Sequence, residues 1–143
     1  MATFNIQQGS DPRGAVITQM ADGAVLFGAL VIRGTNDGDV IETGTTSAEP
    51  WAVALYSEVM GLENAAEQYE DNTVCKVMTL VPGMILNLKT AGTVNAGDKV
   101  CASTDGKVVA SAAAAWENEI GYALDDIASG SRGRILITKS GPQ

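Results

Sequence analysis

The C-terminal third of the chain alternates short apolar runs with tight turns. Between residues 95 and 138, glycine or aspartate repeatedly interrupts the apolar segments. Turns that recur about every 8 to 12 residues are typical of small β-sandwiches and barrels. The pattern therefore predicts an antiparallel β-domain in this region.

The N-terminal half shows the same alternation. Two apolar runs between residues 15 and 33 flank a turn-like segment at residues 20–23. The NDGD sequence at residues 36–39 favours a hairpin turn. Further strands are predicted at residues 40–41, 51–56, 74–81, 84–89, 99–102, 107–110, 121–124 and 134–138.

The clearest single strand is the one at residues 84–89. Met84, Leu86 and Leu88 alternate there with Ile85 and two polar residues. Alternation with a period of two places one set of side chains on each face of a strand. The sequence therefore predicts that this strand is buried on one face and exposed on the other.

One segment departs from the strand pattern. Apolar residues recur at helical spacing over residues 61–70, and glutamates fall between them. This predicts one short, acidic surface helix inside an insertion at about residues 58–72. The apolar positions that define it are Leu62, Ala65, Ala66 and Tyr69.

The first 14 residues are mostly polar, and Phe4 and Ile6 are their only large apolar side chains apart from Met1. The segment is predicted to be an extended N-terminal arm. Two interpretations stay open: a frayed terminus, or a strap laid across a neighbouring subunit. The remaining residues, 15–143, are predicted to form a single β-rich domain.

A faint internal echo links two predicted strands. WAVAL at residues 51–55 resembles IGYAL at residues 120–124, and a β-branched strand follows each after a polar stretch. Two related halves of one barrel would explain this echo.

Composition fits one folded domain. The chain has 143 residues, of which 45% are hydrophobic and 5% aromatic, so its core must consist mainly of aliphatic side chains. The formal net charge is −8, and no cluster of lysine and arginine offsets it. Such a surface repels phosphate backbones, so we expect no binding of nucleic acid.

The sequence also predicts no membrane segment. Its longest apolar run, at residues 24–32, is far shorter than the roughly 20 residues that cross a bilayer as a helix. The N-terminus lacks the basic start and apolar centre of a signal peptide. We therefore expect synthesis in the cytoplasm.

Two cysteines, Cys75 and Cys101, fall inside predicted strands. In a reducing cytoplasm they would be buried free thiols. If they were paired, they would close a loop of about 26 residues and stabilise the fold by roughly 3 kcal/mol. The sequence leaves both arrangements open.

Candidate chemistry is sparse, because the chain contains no histidine. That removes the commonest general base and the usual zinc ligand, so we expect no metal, no cofactor and no catalysis. The acidic turn at residues 36–39 lacks the residue order of a calcium loop. Glu117 and Glu119 share strand parity, which leaves a carboxylate pair of a small hydrolase as a minor alternative to a polar rim.

Trp51 and Trp116 are the largest apolar side chains. Each is either an anchor of the core or an anchor of an interface, since tryptophan is enriched at binding hot spots. Exposed aromatic side chains would also suit a carbohydrate- or receptor-binding module.

The strand-and-turn motifs resemble those of the capsid decoration, or head cement, proteins of tailed bacteriophages. The motifs are AGDKV at residues 96–100, DGKV at 105–108, IGYAL at 120–124 and GRILI at 133–137. The segment at residues 4–9 is also similar to the extended start of those proteins. The match is close over about 45 residues, and the segment at residues 58–72 looks like an insertion.

This resemblance implies a small, all-β barrel or tulip-like domain without catalysis. It implies homotrimers, or sometimes other oligomers, on the outside of the capsid, where they clamp neighbouring major capsid subunits. The residues expected at the interface with the capsid or between copies are Phe4, Ile6, Arg13, Trp51 and Trp116.

Overall fold

The structure is a computed structural model that describes residues 14–45, 48–56, 67–111 and 118–139. These residues are nearly all β. The strands are β1 (Val16–Ala21), β2 (Val25–Leu26), β3 (Leu30–Arg33), β4 (Asp39–Glu42), β5 (Ala52–Ala54), β6 (Gln68–Tyr69), β7 (Val74–Thr79), β8 (Ile85–Lys89), β9 (Lys99–Ala102), β10 (Val108–Ala110), β11 (Glu119–Ala123) and β12 (Arg132–Ile137). A short 3₁₀ turn, η1 (Thr104–Gly106), joins β9 to β10.

The first half of the molecule, residues 14–80, forms a closed barrel. Its strands are ordered β1-β4-β3-β5-β7, and β7 pairs again with β1. Neighbouring strands are antiparallel except β1 and β4, which run parallel. The small β2–β6 ladder contributes Val25 and Tyr69 to the barrel core. The prediction of an all-β barrel is therefore confirmed.

The second half, residues 81–139, forms a five-stranded antiparallel sheet in the order β10-β9-β11-β12-β8. A parallel bridge between Thr90 and Val108 joins the two edges of this sheet. The same kind of parallel contact, between Ala21 and Val40, closes the first barrel.

The two halves share one connectivity and one register. β1, β3, β4, β5 and β7 hold the same places in the first half as β8, β9, β10, β11 and β12 in the second. The agreement extends to individual backbone hydrogen bonds. The N–H of Gly28 donates to Ala54 O at 2.8 Å, and that of Gly97 donates to Ala123 O at 2.8 Å. Both glycines have positive φ, 83° and 90°, a conformation that favours glycine.

We call residues equivalent when they hold the same place in the pairing of the two halves. In this sense β5 and β11 are equivalent, which explains the echo between WAVAL and IGYAL. The expectation of two halves of one barrel was wrong in one respect, because each half builds its own sheet.

Alternation with a period of two decides which side chains enter the core. In β7, Cys75 and Val77 are buried, whereas Val74 and Lys76 are exposed. β8 follows its predicted pattern, with Leu88 buried and Ile85 exposed. Both cysteines are free and buried, and burial raises the pKa of the Cys75 thiol to about 12.

Two hydrophobic clusters form the interior. One fills the first barrel. The other fills the second half and also includes Leu30, Val53 and Leu80 from the first half, so it holds the two halves together. Its other fully or nearly fully buried members are Met84, Leu88, Val94, Val100, Ala102, Val108, Ile120, Ala123, Ile127, Ile135 and Ile137.

The predicted helix is wrong where it can be compared with the structure. Residues 57–66 lie outside the described residues, but Gln68 and Tyr69 form β6 and pair with β2. Tyr69 packs edge-on against Phe27 at 5.1 Å and donates a hydrogen bond from its hydroxyl to Leu55 O at 2.7 Å. These partners are distant in sequence, so tertiary contacts override the local helical spacing. The predicted N-terminal arm also lies outside the described residues, apart from Gly14.

Candidate interaction surface

Of the five residues expected at an interface, the structure describes only Trp51. Phe4, Ile6, Arg13 and Trp116 lie outside the described residues. Trp51 precedes β5, is half-buried, and packs against the core of the first barrel. It therefore serves in part as a core anchor.

Trp51 also lines an open groove of about 790 Å³ on the first half. The indole Nε1 of Trp51 is buried and has no hydrogen-bond acceptor in the described part of the chain. An unpaired buried donor is costly, which makes this atom a candidate for a partner outside the described residues. The other residues that line the groove are Gln19, Ile32, Arg33, Gly38, Asp39 and Glu49.

The rim of the groove is charged. Arg33 lies 3.4 Å from Asp37 across the β3–β4 hairpin, and Glu49 lies 3.4 Å from Lys139. These ion pairs are largely exposed, so each contributes little to stability. They give the groove a rim of mixed charge.

A row of neighbouring side chains crosses the outer face of the second sheet. Lys99, Tyr122, Leu136 and Ile85 are successive cross-strand partners on β9, β11, β12 and β8. Tyr122 is 37% exposed and Ile85 is 55% exposed. We call these four residues the second-half row. Exposed apolar patches of this kind mark interaction sites more often than scattered residues do.

The equivalent row on the first half consists of Leu30, Val53, Met78 and Val16. Leu30 and Val53 are buried in the cluster that joins the halves, and Met78 packs against it. Val16, at the β1 end of this row, is 59% exposed. The β3 and β5 positions are thus covered on the first half, whereas their equivalents Lys99 and Tyr122 are more open to solvent on the second.

Another apolar surface lies on the outer face of β1, β4 and β7. Met20 pairs with Val74, which is 50% exposed, and Ile41 is exposed on neighbouring β4. Val16 extends this surface toward the point where the N-terminal segment joins the barrel. There the N–H of Ala15 donates to Thr79 Oγ1 at 2.9 Å.

Most carboxylates with defined partners support turns. Asp125 accepts hydrogen bonds from the Arg134 guanidinium at 2.8 and 3.1 Å, and these hold the pKa of Asp125 at about 2. Backbone and hydroxyl hydrogen bonds from Thr35 lower the pKa of Asp22. Glu42 differs, because burial raises its pKa even though it accepts a hydrogen bond from the Leu26 N–H.

The described residues contain no group of three or more histidine, cysteine, aspartate or glutamate side chains that could hold a metal ion. The acidic turn at residues 36–39 is a plain hairpin turn, in which Asp39 accepts hydrogen bonds from Asn36. Glu119 lies 3.7 Å from Lys99, and its proposed partner Glu117 lies outside the described residues. Within the described ranges, no helix is long and apolar enough to span a bilayer.

The second-half row was not predicted from the sequence. A signal for it existed at Ile85, an apolar residue on the polar side of an alternating strand. Tyr122 and Leu136 lie in strands that were predicted correctly. Their outward orientation, however, depends on the register, which the sequence alone does not provide.

The chain was also compared with known proteins. The family described as "Structural cement protein (E217 gp24/Pam3 gp6)" matches residues 6–138. None of the curated proteins matches the chain. The crystal structure of the head fiber gp8.5 N base of bacteriophage phi29 is similar with a TM-score of 0.69, over 90% of this chain and 98% of that one. Identity with it is 15%, so this likeness concerns the fold.

The family match spans nearly the whole chain and agrees with the all-β fold and with the motifs of the C-terminal third. A structural role in phage particles fits the sparse chemistry of the described surface. The chain belongs to the phage structural cement protein family.

Proposed function

We propose that the protein binds the outside of a phage capsid and stabilises the expanded head by clamping neighbouring major capsid subunits. The observation that carries this proposal is the family match over residues 6–138. It acts as a homotrimer and performs no catalysis. The protein is made in the host cytoplasm and ends up on the virion.

The outer face of β1, β4 and β7 is the surface that we assign to the capsid. Met20, Ile41 and Val74 expose apolar area there without a partner in the described part of the chain. The N-terminal segment joins the barrel at the edge of this same face, beside Thr79. An arm leaving from this edge can reach the same neighbour as the face.

Stabilisation follows from linkage. A protein that binds only the expanded shell stabilises it by RT ln(1 + [L]/Kd), about 2.7 kcal/mol per site at a hundredfold excess over Kd. A trimer that engages several sites at once gains further affinity from effective concentration. Shape and copy number, rather than reactive groups, would therefore determine the function.

The test uses purified protein and expanded empty shells. We expect light scattering to give a trimer, and co-sedimentation to show saturable binding to the shells. A monomer that ignores the shells would contradict the proposal. Deleting residues 2–13 should weaken binding while the domain stays folded by circular dichroism. Unchanged binding would remove the arm from the mechanism.

A matched pair of substitutions tests the proposed capsid face. Val74→Asp places a charge on that face and should weaken shell binding at least tenfold. Ala91→Asp adds the same charge to the second half, at the position equivalent to Asp22, and should leave binding unchanged. Equal binding by both variants would move the capsid contact elsewhere.

A carbohydrate- or receptor-binding module on the virion surface is the alternative function. Its support is Trp51, which lines an open groove with charged residues at its rim. That tryptophan is half-buried, whereas stacking on a sugar needs an open aromatic face. Specific glycan binding that Trp51→Ala abolishes, with no affinity for shells, would favour the alternative.

A further inference from the structure

We propose that the second-half row of one copy docks onto the groove of the first half in another copy. The contact would repeat, between chains, the contact that joins the two halves within a chain. This inference rests on the proposed self-association and adds the surfaces through which it occurs.

Part of the first-half row is buried against the second half of the same chain. Leu30 and Val53 of the first half belong to one buried cluster with Leu88, Ala102 and Ile120 of the second. Leu30 and Val53 therefore pack on a face of the second half formed by Leu88, Ala102 and Ile120, which we call its receiving face. Their equivalents Lys99 and Tyr122 hold the same places in the second sheet, where Lys99 is half-buried and Tyr122 is 37% exposed.

A hairpin of the second half also takes part in the contact between the halves. In the second half, the η1 hairpin brings Gly106 against Ala29, and the Gly106 N–H donates to Thr43 O at 3.2 Å. Thr43 Oγ1 in turn donates to Ser103 O at 2.7 Å. The glycine is required because a Cβ at position 106 would collide with Ala29.

The equivalent hairpin of the first half is free of such contacts. Gly38 is equivalent to Gly106 and also has positive φ, 85°. It is exposed, and a Cβ built on it would meet only Gln19 Oε1, at 3.9 Å. The first half therefore carries an equivalent hairpin, one residue longer, that makes no such contact within the described residues.

The receiving face differs in composition between the two halves. Leu88, Ala102 and Ile120 are buried under the first half. Their equivalents are Gln19, Arg33 and Trp51, and all three line the open groove. Covered positions carry apolar residues and the open ones carry mixed residues, as expected of a surface that meets water before a partner binds.

Docking would resolve two features of the isolated chain. The row brings Tyr122, a residue type enriched in binding hot spots, to a groove of sufficient volume. A docked copy could also supply the hydrogen-bond acceptor that the buried Nε1 of Trp51 lacks among the described residues. Both surfaces are thus better satisfied together than apart.

The contact joins two unlike surfaces and is therefore heterologous. Contacts of this kind form a closed ring when the rotation between neighbours closes. In a ring of three chains, six equivalent halves would alternate, with contacts inside and between chains.

The first test compares two positions of similar exposure, Tyr122 at 37% and Met20 at 39%. Tyr122→Asp alters the second-half row at the position equivalent to the buried Val53, whereas Met20→Asp alters the other apolar face. By multi-angle light scattering, Tyr122→Asp should raise the dissociation constant of the oligomer at least tenfold, and Met20→Asp should leave it unchanged. Thermal unfolding of both variants monitors the fold.

The second test is independent of stability. Asp37 is equivalent to Asp105, which lines a crevice with Gly28 and Ala29, and Ala29 is equivalent to Asp98. Asp37→Cys and Asp98→Cys, made on separate chains and mixed, should be joined by a short bismaleimide into covalent dimers. Asp37→Cys mixed with Ala91→Cys is the control and should stay uncrosslinked.

The outcomes separate the two proposals. A wild-type protein that is monomeric would contradict both the self-association and this interface. A wild-type oligomer that Tyr122→Asp leaves intact, without the 37–98 crosslink, would contradict only the interface. Crosslinking at 37–98 together with dissociation of the Tyr122→Asp variant would support it.

Discussion

The two halves have the same strand order and register but opposite surface chemistry. At equivalent positions the first half carries Gln19 and Arg33 where the second carries Leu88 and Ala102. Conversely, Leu30 of the first half is buried, whereas its equivalent Lys99 lies on a half-exposed face. The strand order is thus the same in both halves, whereas the residue type at each position depends on whether that face is buried or exposed. The difference between equivalent positions points to the groove of the first half and the second-half row as the surfaces open to a partner.

The largest expected effect comes from giving the second half a residue of the first. Leu88→Gln places an amide in the cluster that joins the halves, and we expect a loss of about 4 kcal/mol in the free energy of unfolding, or failure to fold. Urea denaturation measures this loss. The reverse change, Gln19→Leu, should alter stability by only about 0.5 kcal/mol. Equal effects would mean that the two faces are not differently covered.

The next effect concerns the covered row. Leu30→Ala removes a fully buried side chain from between the halves and should cost about 3 kcal/mol of unfolding free energy. The equivalent change on the second-half row, Lys99→Ala, should cost less than about 1 kcal/mol, because its ion pair with Glu119 is partly exposed. Urea unfolding of the monomeric form should give this order, and a reversed order would contradict the covering of the first row.

A smaller effect distinguishes the β2–β6 ladder from its equivalent. In the first half Tyr69 donates its hydroxyl to Leu55 O, whereas the equivalent Ile127 of the second half has an entirely apolar side chain. Tyr69→Phe keeps the packing on Phe27 and should cost about 1 kcal/mol. Thermal unfolding should detect it, and no change in Tm would show that the bond contributes nothing net.

The smallest effect separates the halves by pH. The pKa of Asp125 in the second half is lowered to about 2 by Arg134, so this pair's contribution to stability is present above the ordinary pKa of 3.8 and is lost as pH falls toward 2. The pKa of Glu42 in the first half is raised by burial, so its contribution grows as pH falls through the raised pKa.

Two neutral variants test these opposite signs. Asp125→Asn should lie below wild type in unfolding free energy at pH 6 and converge with it near pH 2. Glu42→Gln should have its greatest advantage over wild type at neutral pH and lose it in acid. Parallel curves across the whole range would contradict the assigned pKa shifts.

The sequence predicts strand positions well, because alternation and turn residues are local properties. The strand at residues 84–89 and the turn at residues 36–39 needed no information from elsewhere in the chain. The segment at Gln68 and Tyr69 failed for the opposite reason, since its partners, Val25 and Leu26, lie more than 40 residues away.

The candidate surface was only partly predictable. Trp51 was singled out by its size, and the structure adds that it lines a groove. The row through Tyr122 and Leu136 depends on cross-strand register, and its exposure depends on how the halves pack. Neither property is written in local spacing, and the duplication itself left only a five-residue echo because covered and open faces select different side chains.

The two free thiols have a practical consequence. Cys75 lies in the core of the first half, and Cys101 is buried on β9 of the second half. Both thiols are shielded from solvent in the native fold, so reaction with a labelling reagent requires the structure around each thiol to open. The chain therefore carries one natural probe of local opening in each half. The ratio of the two labelling rates would report whether the halves open as one cooperative unit or independently.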